Sequence, residues 1–477
     1  MKFKKGLVFT LVLAFSPFPV VGQEVVQGAY YVSPSGSDSN DGLLVEEGGT
    51  GPWRTIQHAA QTVIAGDTVY VREGVYTEPD PIEGSTQTWG IRPANDGAPE
   101  LPVTYSGYPG ENAVVDMKGQ APCFALYGRK YITVTGFELK NCWQAGVWAM
   151  SGSGRENGYI TVSNNVIHHI DGGVGQNVAG VRIDDAGYST ITDNLIYNIR
   201  VGGVHNANAA GVLSYGMYEV NIQNNEIYDV YSGIFHKIPD AIGRKGGVFQ
   251  RNRIHDVELG FYFNSNEAMP ESGIHYNTEI RNNIVYDATA FVYETTEQSV
   301  GQNKGLKIYN NTVVGADISI RGFADVELKD NIFYSFTGLK TIYQQEALTR
   351  DDRKYPSIAV SDHNIFYPDF VGALGVYSGN EVRANSLSDW QQIGYEGNPL
   401  TMNVAAPGPD QNSKTDDPLF VDAGQNDYHL ANGSPAIGMA ADGSSVGAYK
   451  YGTEVIGIRS ELPSTVARPL PPQLFVE

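Results

Sequence analysis

YITVSNNVIHHI at residues 159–170, VNIQNNEIYDV at 220–230 and TEIRNNIVYDA at 278–288 are three copies of one phrase. Aligned on their second asparagine, they extend to eight copies at Asn165, Asn194, Asn225, Asn252, Asn283, Asn311, Asn331 and Asn364, spaced by 29, 31, 27, 31, 28, 20 and 33 residues. Three positions before each asparagine stands Val162, Ile191, Ile222, Phe249, Ile280, Ile308 or Leu328, with Ser361 the exception in the last copy. Two positions after it stands Ile167, Ile196, Ile227, Ile254, Val285, Val313, Phe333 or Phe366. Both columns are expected to face a core.

A repeat of this length implies a solenoid, propeller or array. The copies are short β-branched and aromatic runs closed by Gly, Asn and Asp, without helical periodicity, so they read as strands. A propeller would need four antiparallel strands and hairpin turns in each copy. Parallel stacking of like strands at about 4.8 Å places each asparagine over the next, where side-chain amides can bond in a ladder. The fold expected is all-β: a parallel β-helix solenoid with a short N-terminal capping helix and a loop-rich C-terminal cap.

Residues 1–22 have the form of a signal peptide: Lys2, Lys4 and Lys5, then GLVFTLVLAF, then Val20 and Gly22 before Gln23. The apolar run, broken by Ser16, Pro17 and Pro19, is too short to span a bilayer. A secreted or periplasmic protein is expected. Residues 23–458 would form a single domain, with core rungs from about 100 to 367 and the cap from 368 to 458; residues 459–477 would be an extended tail. A solenoid can grow by rungs, so this length does not force a second domain. The only cysteines, Cys123 and Cys142, lie one short rung apart and could form a disulfide or remain two buried thiols.

The 53 acidic residues outnumber the 32 basic ones, a formal net charge of −21. That field argues against nucleic acid and anionic membrane as partners. It also opposes a polyanionic sugar unless local cations reverse it. A monomer acting on a polysaccharide is expected.

Near the N-terminus, Ile56 to Val63 has the spacing of a short amphipathic helix, stopped at Gly66, and DTVYVREGVYTE at 67–78 supplies first strands. Near the C-terminus stands DDPLFVDAGQNDYHLANGSPAIGMAADGSSVGAYKY at 416–451. With the repeats between them, these segments resemble secreted right-handed β-helix proteins, among them the family 9 polysaccharide lyases, which include pectate lyases. The resemblance implies the fold and raises β-elimination as an expected activity; the same broad group contains glycosidases and epimerases.

After each asparagine phrase the chain enters a second strand: AGVRIDD, AGVLSYG, SGIFHKI, LGFYFNS and AFVYETT. Aligned on Gly180, Gly211, Gly233, Gly260 and Ala290, side-chain alternation turns Val181, Val212, Ile234, Phe261 and Phe291 inward. It turns outward Arg182, Leu213, Phe235, Tyr262 and Val292, and also Asp184, Tyr215, Lys237, Asn264 and Glu294. Acid, phenol, amine, amide and acid then succeed one another along one groove. His236 is expected inside as a core histidine, and His168, Tyr197, Tyr228, His255 and Tyr286 as a structural column of stacked rings.

Elimination at a uronate needs a base for the C5 proton and a cation for the C6 carboxylate. Lys237 is the candidate base, since like charge from Arg244 and Lys245 with partial desolvation would favour its neutral form. Arg182, Tyr215 and Tyr262 complete the catalytic candidates, with tyrosine as acid for the leaving oxygen. Asn264, Glu294, Arg244 and Lys245 are candidates for substrate binding. The resemblance further implies a lysine base with Ca²⁺ held by aspartates, for which Asp184 and Asp185 are candidates. The chain departs from the family's pattern in placing Phe235 where the lysine would stand, two residues after the strand glycine; Lys237 stands four after it. A glycoside hydrolase would instead need two carboxyls about 5 to 9.5 Å apart, such as Asp184 with Asp185 or Glu294 with Glu267. A non-catalytic glycan-binding β-helix is the third reading.

Overall fold

The structure is a computed structural model that describes residues 28–452, apart from 47–49, 82–87, 152–156, 217, 238–245, 265–273, 295–302, 321–322, 324–325, 344–357, 377–380 and 393–408. The expected signal peptide, residues 1–22, and the expected tail, residues 459–477, lie outside the described residues. The chain winds as a right-handed parallel β-helix. One sheet stacks twelve parallel strands from Ala29–Val32 to Ile358–Asp362, and a second sheet of nineteen strands forms the other two sides of each coil. In the middle coils those two sides fuse into the long strands Glu226–Lys237, Arg253–Asn264 and Ile284–Glu294. Parallel pairing begins at Ala29, which pairs with Thr68, well before residue 100.

The predicted columns are in register. Ile167, Ile196, Ile227, Ile254 and Val285 pair in succession, as do Val162, Ile191, Ile222, Phe249, Ile280, Ile308, Leu328 and Ser361. Between the two sides is a tight corner whose first residue is left-handed in every copy: φ is 55° at Asn164, 58° at Asp193, 54° at Asn224 and 53° at Arg251. Among residues with a side chain, Asn and Asp tolerate that backbone best, which explains their repetition one place before the ladder.

The ladder runs unbroken. Each Nδ2 donates to the Oδ1 of the next asparagine at 3.0 Å from Asn165 to Asn364. The same Oδ1 accepts from the backbone N–H of the preceding ladder asparagine, as Asn194 Oδ1 does from Asn165 at 3.1 Å. Each Nδ2 also reaches a backbone carbonyl, as Asn252 reaches Ile222 at 2.9 Å. At the C-terminal end a buried carboxylate replaces the next amide: Asp410 accepts from Asn364 Nδ2 at 2.9 Å, Trp390 Nε1 at 2.7 Å and the hydroxyls of Ser361 and Ser413 at 2.5 Å. Ser361, the one polar member of its column, is therefore a partner for this carboxylate.

Glycines set the coil's width. Gly180, Gly211 and Gly233 stand against the isoleucine column; a Cβ at Gly180 would lie 2.4 Å from Ile196 Cγ2, and at Gly211 2.4 Å from Ile227 Cγ2. Space, not backbone conformation, selects glycine there.

Helix α1 (Ile56–Thr62) starts at Thr55, whose side chain accepts from His58 N–H, and buries Ile56, Ala59 and Ala60 over the first coils. Helix α2 (Leu387–Gln392) brings Trp390 to stack on Phe370 at 4.6 Å and closes the other end. The following segment departs from a simple terminal cap: it folds back along the flank, with Leu430, Ala436 and Val446 on Ile332 and Ile365, and Tyr428 against Ile284 and Tyr286. Cys123 and Cys142 form a disulfide across neighbouring coils, with Cα atoms 5.3 Å apart.

Candidate active site on the outer face

The strands after the glycine column carry two outward columns, in the register expected through four coils. Trp148, Arg182, Leu213, Phe235 and Tyr262 form one. Asp184, Tyr215, Lys237 and Asn264 form the other.

Across these columns cations and rings alternate. The Arg182 guanidinium lies 4.3 Å from the Trp148 ring centre and 5.3 Å from that of Tyr215. Lys237 Nζ lies 5.1 Å from the Tyr215 ring and 5.8 Å from that of Phe235. Tyr215 is thus faced by two cations, an arrangement that holds its ring by attraction to the aromatic quadrupole. The cations differ in their other partners. Arg182 Nε is paired with Asp184 at 3.1 Å and Nη1 donates to the Asn177 carbonyl at 3.2 Å. Lys237 makes no ion pair among the described residues and is half-buried.

Further along, Tyr262 stacks on Phe235 at 4.2 Å, is only 7% exposed, and accepts from Asn264 Nδ2 at 3.1 Å. Leu213, Phe235 and Tyr262 belong to an apolar cluster with Ala179, Ala210, Leu259 and Ala290 on the outside of the coil, flanked by Tyr215, Tyr231 and Tyr293. The face is therefore largely aromatic, and Tyr262 is recessed in it.

The fifth coil corrects the expected register. Leu259 pairs with Ala290, Phe261 with Val292, Tyr262 with Tyr293 and Phe263 with Glu294. Glu294 consequently faces the core and is fully buried, while Tyr293 takes the outward place assigned to Val292. Ala290 imitates the small residue that opens the other strands, but the residue opposite Gly260 is Phe291. Counting eight residues from the ladder asparagine, as from Asn225 to Gly233 or Asn252 to Gly260, finds it. Arg244, Lys245 and Glu267 lie outside the described residues.

His236 is inside, stacked on Phe263 at 5.9 Å and near Phe249 at 6.5 Å. Burial lowers its pKa to about 3, which keeps it neutral. The column His168, Tyr197, Tyr228, His255 and Tyr286 stacks at 4.8 to 5.0 Å with nearly parallel planes. With ring faces occupied by one another, this column is scaffold. Desolvation raises the Tyr228 hydroxyl to about 12.

The two aspartates do not fit a calcium cage. Both oxygens of Asp184 accept from Arg182 Nε, and Oδ2 also accepts from Trp148 Nε1 at 2.9 Å. Asp185, at a left-handed corner with φ 52°, is turned toward Ser151, whose hydroxyl it accepts at 3.3 Å. Among the described residues no three His, Cys, Asp or Glu side chains gather as a metal site. Asp184 instead holds Arg182 against Trp148.

Trp148 was legible: Ala145-Gly146-Val147-Trp148 repeats the phrase Ala179-Gly180-Val181-Arg182 one coil earlier, in paired register. The repeat extends one copy further toward the N-terminus than the aligned set.

Residues 30–316 match the family described as Pel9A-like, right handed beta helix region. Over 491 residues the chain is 25% identical to the uncharacterized protein YwoF of Bacillus subtilis (strain 168), covering 90% of this chain and 97% of that protein. A 99-residue stretch is 30% identical to pectate lyase PEL9 of Emericella nidulans, 21% of each chain. Among solved structures, pectate lyase Pel9A is similar over 89% of this chain and 97% of its own, at 14% identity and a TM-score of 0.48.

Proposed function

The chain belongs to the Pel9A-like right-handed β-helix family, and from that premise we propose that it is a secreted or periplasmic polysaccharide lyase acting on a uronate-containing glycan. One observation carries this reading: Lys237 presents an amine on an aromatic bed, one coil from the Tyr215 phenol, without a carboxylate partner among the described residues.

In the proposed reaction the neutral Lys237 amine takes the C5 proton of the uronate, and the electron pair left at C5 forms the C4–C5 double bond. The C4–O4 bond breaks, and the Tyr215 hydroxyl gives its proton to the departing oxygen. Proton transfer from the Lys237 ammonium to the Tyr215 phenolate, directly or through water, restores both groups. The C6 carboxylate needs a cation as charge develops. Arg182 is committed to Asp184 and acts as a positioning residue for Tyr215, so we assign the carboxylate to Arg244 and Lys245, which follow Lys237 in the chain. Tyr262 and Asn264 bond one another and shape the floor.

Support for hydrolysis by paired carboxyls is weaker: Asp184 is engaged, Asp185 turns away, and Glu294 is in the core. Incubation of the secreted form with pectate, alginate and neutral polysaccharides, with and without chelator, tests the assignment. Ultraviolet-absorbing unsaturated ends are expected from a uronate polymer, and Lys237→Ala should reduce their rate by about 10²–10⁴-fold with the circular dichroism unchanged. Reducing ends without absorbance would sink the lyase; binding without any product would favour a non-catalytic role.

A further inference from the structure

Next to the proposed reaction centre, toward the N-terminus, is a cavity of about 340 Å³ lined by Trp89, Trp143, Trp148, Gln176, Asn177 and Arg182. Its size is at the lower end of small-ligand pockets. The Trp89 and Trp148 rings lie 5.8 Å apart at 60°, and the three indoles are half-buried. Such walls take the C–H face of a pyranose ring, while amides take its hydroxyls. One amide is already waiting for a donor: Asn177 Oδ1 is buried and accepts no hydrogen bond from the described residues. A buried acceptor of that kind costs free energy until a ligand hydroxyl or a water fills it.

The charge of the cavity narrows the occupant. Among the described residues that line it, Arg182 is the one ionised side chain, and that charge is compensated by Asp184 at 3.1 Å. A uronate carboxylate seated here would have to displace Asp184 or remain uncompensated in a half-buried place, which is unfavourable. A neutral sugar meets neither obstacle. Lys237, by contrast, carries no such partner among the described residues. Three strand steps separate the Trp148 coil from the Lys237 coil, about 14 Å at the usual strand spacing. That is the span of a few sugar units along one groove.

We infer that this cavity is a subsite for a neutral sugar residue, and that the natural substrate is a mixed polysaccharide in which neutral residues accompany the uronate cleaved at Lys237, not a homopolymer of uronate. The second half of this inference rests on the proposed lyase reading; the binding site itself does not. The net charge of −21 agrees with it, because a mixed glycan has a lower charge density for the protein's field to repel.

The full chain is titrated with methyl glycosides of neutral hexoses and of galacturonic acid, followed by tryptophan fluorescence and saturation-transfer NMR. Neutral glycosides should bind, and Trp89→Ala should weaken them about tenfold, with Gln176→Ala giving a smaller loss. Oligosaccharides alternating neutral and uronate residues should bind more tightly than homouronate oligomers of equal length, a preference that Trp89→Ala removes. Should Trp89→Ala fail to fold, Gln176→Ala decides the same comparison. Equal or tighter binding of the uronate glycoside, or binding unaffected by the variants, overturns the subsite. Absence of unsaturated product from every polymer, with Trp89-dependent binding of neutral sugar intact, would instead overturn the lyase and leave the subsite standing.

Discussion

Arg182 and Lys237 both lie over the ring of one tyrosine, yet only Lys237 is without a carboxylate among the described residues, and that difference assigns their roles. At the same scale, His236 links stability to pH. Its folded pKa is about 3, below the roughly 6.5 of an unfolded histidine, so between those values the unfolded chain binds more protons. Its contribution is present above about pH 6.5 and is lost as pH falls toward 3, with a slope of up to about 1.4 kcal/mol per pH unit. Urea unfolding at pH 7 and pH 4.5 should therefore show a smaller acid loss in His236→Phe than in the natural chain. An identical loss in both would mean that the histidine is not held neutral. That His236 points inward was readable from alternation along FHK; that burial rather than a charged neighbour controls it required the packing around Phe263.

At the scale of the element, the corner and the glycine column divide the labour of keeping the coils in register. Asn252→Ala removes the acceptor for Asn225 N–H and the donor to the Ile222 carbonyl. Two buried backbone groups then lack partners, at a cost of about 2–5 kcal/mol in chemical denaturation. Gly211→Ala acts by crowding: the added methyl meets Ile227 Cγ2 at 2.4 Å, and overpacking of this kind costs about 1–3 kcal/mol. Because the nearest clash is with the Ile227 side chain while a second, at 2.8 Å, is with the Gly233 carbonyl, combining it with Ile227→Ala should give a total below the sum of the single losses without full rescue. Additive losses would show that the glycine is needed for another reason. These strands are legible because both faces of every copy repeat; the fifth departs from the expected alignment because Ala290 has the size, but not the place, of the column's small residue.

For the whole molecule, a solenoid is held by neighbouring coils, so its ends and its covalent ties set how it opens. Cys123–Cys142 closes a loop with a sequence separation of 19 near the N-terminal end, and in the chain-entropy treatment such a loop contributes about 3 kcal/mol. Cys123→Ser with Cys142→Ser should lower the denaturation midpoint accordingly, and a reductant should lower the natural chain toward the same value. The other end is closed differently. Asp410 and Trp390 finish the ladder, and residues 417–450 cover Ile284, Ile332 and Ile365 along the flank. Without that cover the apolar outer residues would form an exposed patch of the kind that promotes association.

The amino-acid sequence by itself determined the coil, because hydrophobic period, the αL corner and the amide ladder are local patterns that recur in every copy. It also determined which side of most strands faces out, since alternation follows directly from strand geometry. Only the tertiary structure decided the partners on that face: that Asp184 pairs with Arg182 and Trp148, that Glu294 is buried, and that Trp89 meets Trp148 beside the groove. Those pairings depend on the lengths and paths of the segments between coils, which obey no repeat. They are also electrostatic, and a charge acquires its role from what lies within a few ångströms of it, not from its position in the chain.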